Sequence, residues 1–266
     1  MDIFGVMSSS PTSATILVVA VAAMFLLIPF AILGTGGDDL ERDTLYQLNT
    51  LDAFLDGQYD GLTSYGELYA HGDTGLGTFH AVDGEMIAFG GKFYQICYNG
   101  SVNTVSSDMT APLVMLTWFD VDASGELQDL NLSQTKSALD AMRDSDNFIY
   151  VFVAHGTLDS VCTRSFAPFD EPYPPLSNAT SAYFYDWNVT GTLVVMWFPV
   201  SLSGVNLHDY HMHFLADDLS IGGHVMDLNI SSMQVDMDRT PSLNLDFPET
   251  DAFRDWEFGQ DDRDVE

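Results

Sequence analysis

Three of the chain's seven histidines fall in one stretch, Tyr210-His211-Met212-His213-Phe214 closed by Gly222-Gly223-His224. On a β-strand, residues i and i+2 face the same side, so His211 and His213 would point together. Their neighbours Tyr210, Met212 and Phe214 favour a strand over a helix here. A turn-like segment, Ala216 to Ser220, separates the pair from His224, and Gly222-Gly223 lets the backbone pass close. Three converging imidazoles make a divalent-metal site with an open coordination position, the arrangement of catalytic zinc. The same pattern also fits three unrelated histidines on a half-buried strand and its neighbour, and spacing alone leaves both readings open.

Two more residues could do chemistry without forming a pattern. Arg164, in Cys162-Thr163-Arg164-Ser165, could hold a carboxylate through a bidentate pair. The alternative is a surface cation balancing acid. Glu85 directly follows the turn signal Asp83-Gly84 and could act as acid or base. Nothing in its local sequence distinguishes it from the other acidic residues, 39 in all.

The elements that must position these residues read mainly as strands. Met86–Phe89 and Phe93–Tyr98, divided by Gly90-Gly91, form a β-meander. Leu113–Phe119, Phe148–Ala154, Ser181–Tyr185, Thr192–Phe198, Val205–Phe214 and His224–Ile230 follow as further strands. The spacing of Leu45, Leu48, Leu51, Phe54 and Leu55 predicts a helix over Thr44–Asp56, ended by Gly57, or else an apolar face. Ser133–Met142 is the clearest helix after the N-terminal region, with Ser133 as its cap. Pro172-Tyr173-Pro174-Pro175 marks an interdomain boundary. The glycines of His71–Phe79 resemble a phosphate loop only superficially, since the Gly-Lys-Ser/Thr signature is missing.

A chain of 266 residues, 46% of them hydrophobic, can bury a substantial core. Its formal net charge is −31, and Lys92 and Lys136 are its only lysines. Such a surface repels nucleic acid and anionic lipid headgroups. It also repels itself unless salt screens it, which points to salt adaptation. Residues Ala14–Leu33 carry no charge and are long enough to span a bilayer. No Lys or Arg precedes the run, so it fits a signal peptide poorly. Asn99, Asn131, Asn178, Asn188 and Asn229 each begin an Asn-x-Ser/Thr sequon. Together these features predict a cell-membrane protein with one N-terminal anchor and a glycosylated catalytic part outside, or a secreted protein after cleavage. Cys97 and Cys162 are the only cysteines, and the sequence leaves open whether they pair.

In order along the chain, several motifs resemble those of the α-acetolactate decarboxylase family. They are Thr44-Leu45-Tyr46-Gln47, Gly57-Gln58-Tyr59-Asp60-Gly61, His71-Gly72-Asp73-Thr74-Gly75-Leu76-Gly77-Thr78-Phe79 and Asp83-Gly84-Glu85-Met86. Further on come Thr163-Arg164, Pro172-Tyr173-Pro174-Pro175-Leu176, Gly204-Val205-Asn206, His211-Met212-His213-Phe214 and Gly222-Gly223-His224-Val225-Met226-Asp227. Each motif is weak alone, but their order and spacing from Thr44 to Asp227 are specific together. The resemblance implies zinc on His211, His213 and His224, with Glu85 and Arg164 in the active site and Thr78 lining the pocket. It also implies a glutamate near the C-terminus, for which Glu266 is the better positional match than Glu249 or Glu257.

The implied fold is mixed α/β (α+β, β-rich), with two tandem mixed-sheet domains preceded by a transmembrane helix. The boundaries are an anchor and linker over 1–37, a mixed α/β domain over 38–175 and a β-rich zinc-binding domain over 176–266. A homodimer is implied as well. The implied reaction takes (S)-2-acetolactate to (R)-acetoin and CO₂. A metal chelating the ketone and hydroxyl oxygens would stabilise the enediolate left by CO₂, and an acid must then protonate one face of it. Two departures from the family pattern stand out. His208-Asp209 replaces a Pro-Gly-type turn before the His pair, and His155–Ser160 is poor in basic residues. Two rival readings also follow from the residues. One is a cupin-like metal enzyme, with Asp217 following the pair. The other is an anchored surface module with a structural metal, closed by His208 or Asp217 as a fourth ligand.

Overall fold

In a computed structural model of the chain, residues 42–257 are described. The strands in chain order are β1 (Thr44–Leu48), β2 (Thr63–Ser64), β3 (Thr74–Thr78), β4 (Glu85–Phe89), β5 (Lys92–Ile96), β6 (Val102–Thr104) and β7 (Thr110–Ala111). There follow β8 (Val114–Thr117), β9 (Ala123–Asn131), β10 (Ile149–Phe166), β11 (Ser181–Phe198), β12 (Asp209–Ala216), β13 (Gly222–Thr240) and β14 (Ser242–Asp246). The α-helices are α1 (Leu51–Leu55), α2 (Tyr65–Leu68), α3 (Leu132–Met142) and α4 (Asp251–Arg254).

Two sheets carry the fold. The first has the order β14-β1-β8-β3-β4-β5-β6, and the second β10-β11-β12-β13-β9. In the second sheet β10 pairs with β13 as well as β11, so β10 to β13 close on themselves. Between the sheets lies one apolar layer. Leu45, Leu76, Ile87 and Met115 enter it from the first sheet, and Val151, Val194, Met196 and Leu215 from the second. Adjacent residues alternate faces, so Leu116 and Met86 point away from Met115 and Ile87 and pack with Tyr65 and Leu68 of α2. The far face of the second sheet packs Phe152, Val195 and Phe214 near Leu139 of α3. This two-sided burial explains why several strands read as continuous apolar runs rather than alternating ones.

Several sequence expectations need correction. The described residues lie within one compact unit, not two tandem domains. The Pro172–Pro175 segment joins β10 to β11, which pair antiparallel from Tyr150↔Trp197 to Phe166↔Ser181. It therefore lies within one sheet's connectivity rather than between domains. The C-terminal stretch also returns to the first sheet, where β14 runs parallel to β1. The expected transmembrane helix, and the membrane location built on it, gain no support from the described residues. Among the described residues no helix is long and apolar enough to cross a membrane, and the run Ala14–Leu33 lies outside them. Two sequon asparagines have local structural roles. Asn99 Oδ1 accepts from the Ser101 N–H and hydroxyl, and Asn131 caps α3 by accepting from the Gln134 N–H.

The stretch after Thr44 splits into β1 and α1. Asn49 between them has φ 68°, which ends the strand, and the Thr50 hydroxyl accepts from the Ala53 N–H to start the helix. The predicted helix at Ser133 begins one residue earlier. Asn131 and Gln134 form its capping box, each side chain bonding the other's backbone N–H. Cys97 and Cys162 are both free thiols.

Candidate active site and metal centre

β12 carries His211 and His213, and β13 carries His224. In the antiparallel pairing of β12 with β13, His213 lies directly opposite His224. One strand further, His224 lies opposite Arg164 of β10. The pairings therefore set Arg164, His224 and His213 in one row across three strands. His211 stands two residues before His213 on the same strand. One ring nitrogen from each histidine falls within 4.8 Å of the others, and the Nε2 atoms of His211 and His213 are 3.1 Å apart.

Glycine explains how this row closes. Gly223 has φ +122°, and a Cβ there would sit 2.4 Å from the Arg164 carbonyl oxygen. A Cβ on Gly222 would meet the Phe214 carbonyl at 2.9 Å. Any side chain at these positions would push β13 away from β10 or β12 and His224 away from its partners.

The first sheet supplies the opposite wall. Thr78 ends β3 and Glu85 begins β4, facing each other as the last pair of their hairpin. The Thr78 hydroxyl donates to the Gly84 carbonyl at 2.6 Å, which fixes the turn beside Glu85. Met86, the next residue, presents its carbonyl to His213 Nδ1 at 2.8 Å. A carbonyl only accepts, so Nδ1 carries the proton and Nε2 keeps its lone pair. That lone pair faces His211 and the Glu85 carboxyl, whose Oε2 is 3.5 Å away.

Burial sets the charge states. It pushes His211 down to about 4, and the Arg164 guanidinium adds to the effect. His213 and His224 are held well below the ordinary imidazole value, first by burial and then by their ring neighbours. All three rings are therefore neutral donors at neutral pH. Burial raises the Glu85 carboxyl to about 7, with Arg164 pulling the other way. Arg164 lies over the Phe166 ring at 4.3 Å, which fixes the guanidinium plane. Its Nε and Glu85 Oε1 are buried without hydrogen-bond partners among the described residues. Two unsatisfied polar groups facing one space mark a place where a ligand completes the bonding.

Those groups line a cavity of about 230 Å³. Its polar side is formed by Thr78, Glu85, Arg164, His211 and His224, its apolar side by Phe54, Val82, Leu113, Met115 and Phe166. A larger cavity of about 520 Å³ lies between Leu62 and Phe247, but its ionisable lining is Asp60, Asp246 and Glu249 alone. Without a metal-binding imidazole or a cation, it offers no comparable chemistry, so the smaller cavity is the candidate site.

A model of the alpha-acetolactate decarboxylase family matches residues 45–260. The chain belongs to that family. It is 38% identical to the alpha-acetolactate decarboxylase of Methanosarcina mazei over 221 residues, 82% of this chain and 77% of the relative. It is also 38% identical to that of Methylococcus capsulatus over 218 residues, 81% of this chain and 84% of the relative. The crystal structure of alpha-acetolactate decarboxylase from Bacillus subtilis strain 168 is similar with a TM-score of 0.80 and 30% identity. The match covers 82% of this chain and 95% of the other.

The residues that the family resemblance selected are largely brought together by the fold. Thr78, Glu85, Arg164, His211 and His224 line the cavity, and His213 sits just behind it. Glu266 lies outside the described residues. The proposed rival ligands stand apart. His208 is exposed and outside the histidine group, and Asp217 bonds His155 Nε2 at 3.2 Å. Among the described residues no fourth His, Cys, Asp or Glu joins the group. Among the described residues the group therefore shows three ligands, not the closed four of a structural site.

Sequence reasoning missed the apolar lining. Phe54, Val82, Leu113 and Met115 are buried like any core residue, and no local signal separates a cavity wall from packed core. Asn206 was quoted only as part of a motif. It also lines the cavity, and its Nδ2 donates to Gln47 Oε1 at 2.9 Å, tying the cavity rim to β1.

Proposed function

We propose that this chain decarboxylates (S)-2-acetolactate to (R)-acetoin and CO₂, with a zinc ion held by His211, His213 and His224. One observation carries the reading: a group of three neutral imidazoles, two of them lining one small cavity, meets a buried carboxyl and an unpaired guanidinium there in a chain of this family. The donor set fits zinc. Three nitrogen ligands leave a position open for substrate. The Met86 carbonyl on the far nitrogen of His213 is the kind of outer partner that orients a metal-binding imidazole. When bound, the ion supplies Lewis-acid stabilisation of the negative charge that develops on the substrate oxygens.

The chain's own groups do the rest. Arg164 has no ion-pair partner within 4.0 Å among the described residues, so its guanidinium is free to take the substrate carboxylate. Held by that group, the bond to CO₂ is fixed in one orientation relative to the ketone. As it breaks, its electron pair moves toward the ketone and leaves an enediolate. Burial raises Glu85 to about 7, so a share of its carboxyl carries a proton near neutral pH, and its unpartnered Oε1 is the atom that would return it to carbon. Delivery from one wall yields one enantiomer. The apolar side of the cavity keeps water from protonating the other face. A homodimer belongs to the same reading and is checked by light scattering.

The test uses the purified full chain with racemic acetolactate in high salt, followed by chiral analysis of acetoin. We expect (R)-acetoin, its formation lost on chelation and restored by zinc. Racemic product, or a rate unchanged by chelation, would refute the zinc-dependent stereospecific reading.

A further inference from the structure

The six-residue connection from Thr78 to Glu85 contains two consecutive non-glycine residues with positive φ, Ala81 at 59° and Val82 at 63°. A β-branched residue there is a rare conformer that persists only where its surroundings over-determine it. They do so here. The Ala81 N–H donates to the Tyr59 carbonyl at 3.0 Å, and its own carbonyl accepts from Phe169 at 2.9 Å. The Val82 N–H donates to the Phe79 carbonyl and its carbonyl accepts from Gly84, both at 2.8 Å. Gln95 Nε2 holds the Asp83 carbonyl at 2.7 Å. Val82 itself is 1% exposed and lines the site cavity.

We propose that Val82 is the specificity-determining wall of the site, setting which alkyl group is accepted at the carbon that loses CO₂. This rests on the decarboxylase reading. Acetolactate offers a carboxylate, a hydroxyl and a ketone to the polar side of the cavity, and its methyl groups are left for the apolar side. The apolar walls differ in stiffness. Met115 is unbranched and adapts to what it meets. Val82 has a single branched χ1 on a backbone pinned at both its N–H and its carbonyl, so it cannot withdraw. It also stands three residues before Glu85, and both line the same cavity. A larger alkyl group pressing on this wall could not displace it.

One methylene in a hydrophobic pocket changes discrimination by about 10–200-fold. The experiment compares kcat/KM for acetolactate with that for its 2-ethyl homologue, 2-aceto-2-hydroxybutyrate, in wild type, Val82→Ala and Val82→Ile, with Tm recorded for each. Val82→Ala should shift the ratio toward the ethyl homologue by about 10-fold, and Val82→Ile should shift it the other way by a similar factor. Because the ratio compares two substrates on one preparation, a partly unfolded variant still reports it. Met115→Ala should change the ratio by less than Val82→Ala. A ratio that stays within about 2-fold of wild type in both Val82 variants would overturn this inference and leave the decarboxylase reading standing. A wild type that turns over neither substrate would overturn both.

Discussion

Asp238 allows a stability prediction to be worked through from the structure. It lies on β13 with 1% exposure. Its Oδ2 accepts from the Asp120 N–H at 3.2 Å, and its Oδ1 has no partner among the described residues. Burial raises its carboxyl to about 7, the Asp120 N–H opposes this, and the nearby Asp122, Asp43 and Asp120 add to it. Below about pH 4 the carboxyl is protonated in both folded and unfolded chains and makes no difference between them. Between about 4 and 7 it ionises in the unfolded chain but not in the folded one, so it destabilises the fold increasingly as pH rises. Each pH unit is worth about 1.4 kcal/mol, so moving the group from 3.8 to about 7 costs about 4 kcal/mol by pH 8.

Asp238→Asn removes the charge and keeps the acceptor for Asp120. It places an amide donor where Oδ1 lacks a partner, which costs about 1–3 kcal/mol at every pH. The variant should therefore be less stable than wild type by about 1–3 kcal/mol at pH 4 and more stable by a similar amount at pH 8. Urea unfolding of both proteins at fixed high salt measures the difference directly. A difference that does not change between pH 4 and pH 8 would show that Asp238 is not held protonated by the fold.

Three further outcomes concern the site. Alanine at His211, His213 or His224 should abolish zinc retention, measured as metal per chain, together with acetoin formation, whereas His208→Ala should change neither. Glu85→Gln and Arg164→Ala should keep the metal while turnover falls by about 10²–10⁴-fold; full activity in both would refute the division of roles. Gly223→Ala should lower stability by about 2–4 kcal/mol in urea unfolding, because the added Cβ meets the Arg164 carbonyl at 2.4 Å and a positive φ disfavours alanine.

The sequence was legible where chemistry is local. The His-x-His spacing placed two imidazoles on one strand, and the structure brings the ring nitrogens of His211 and His213 within 3.1 Å. The helix at Leu132–Met142 was readable in its existence but not in its cap, which is Asn131 rather than Ser133. Long-range pairing was not legible. β10, β11 and β13 each run 18 or 19 residues, far beyond the expected strands, because the polar residues in their outer halves gave no continuous apolar signal. The prolines at 172–175 look the same whether they separate domains or connect two paired strands, and only the register of β10 on β11 tells which.

Glu85 shows the limit most directly. Its sequence context does not separate it from the other carboxylates, and only the family resemblance selected it. The fold separates it by three long-range facts: burial to 6% exposure, an Arg164 guanidinium from the other sheet, and His213 at 3.5 Å. The same hairpin end joins the two halves of the site. Thr78 fixes the turn, Glu85 starts the next strand, and the Met86 carbonyl holds His213 from the opposite sheet. On the proposed reading, the proton donor and the orienting partner of a metal ligand are thus adjacent residues on one strand. A shift of β4 that moves one must move the other, so the geometry of the acid and of the histidine set is coupled by the backbone itself.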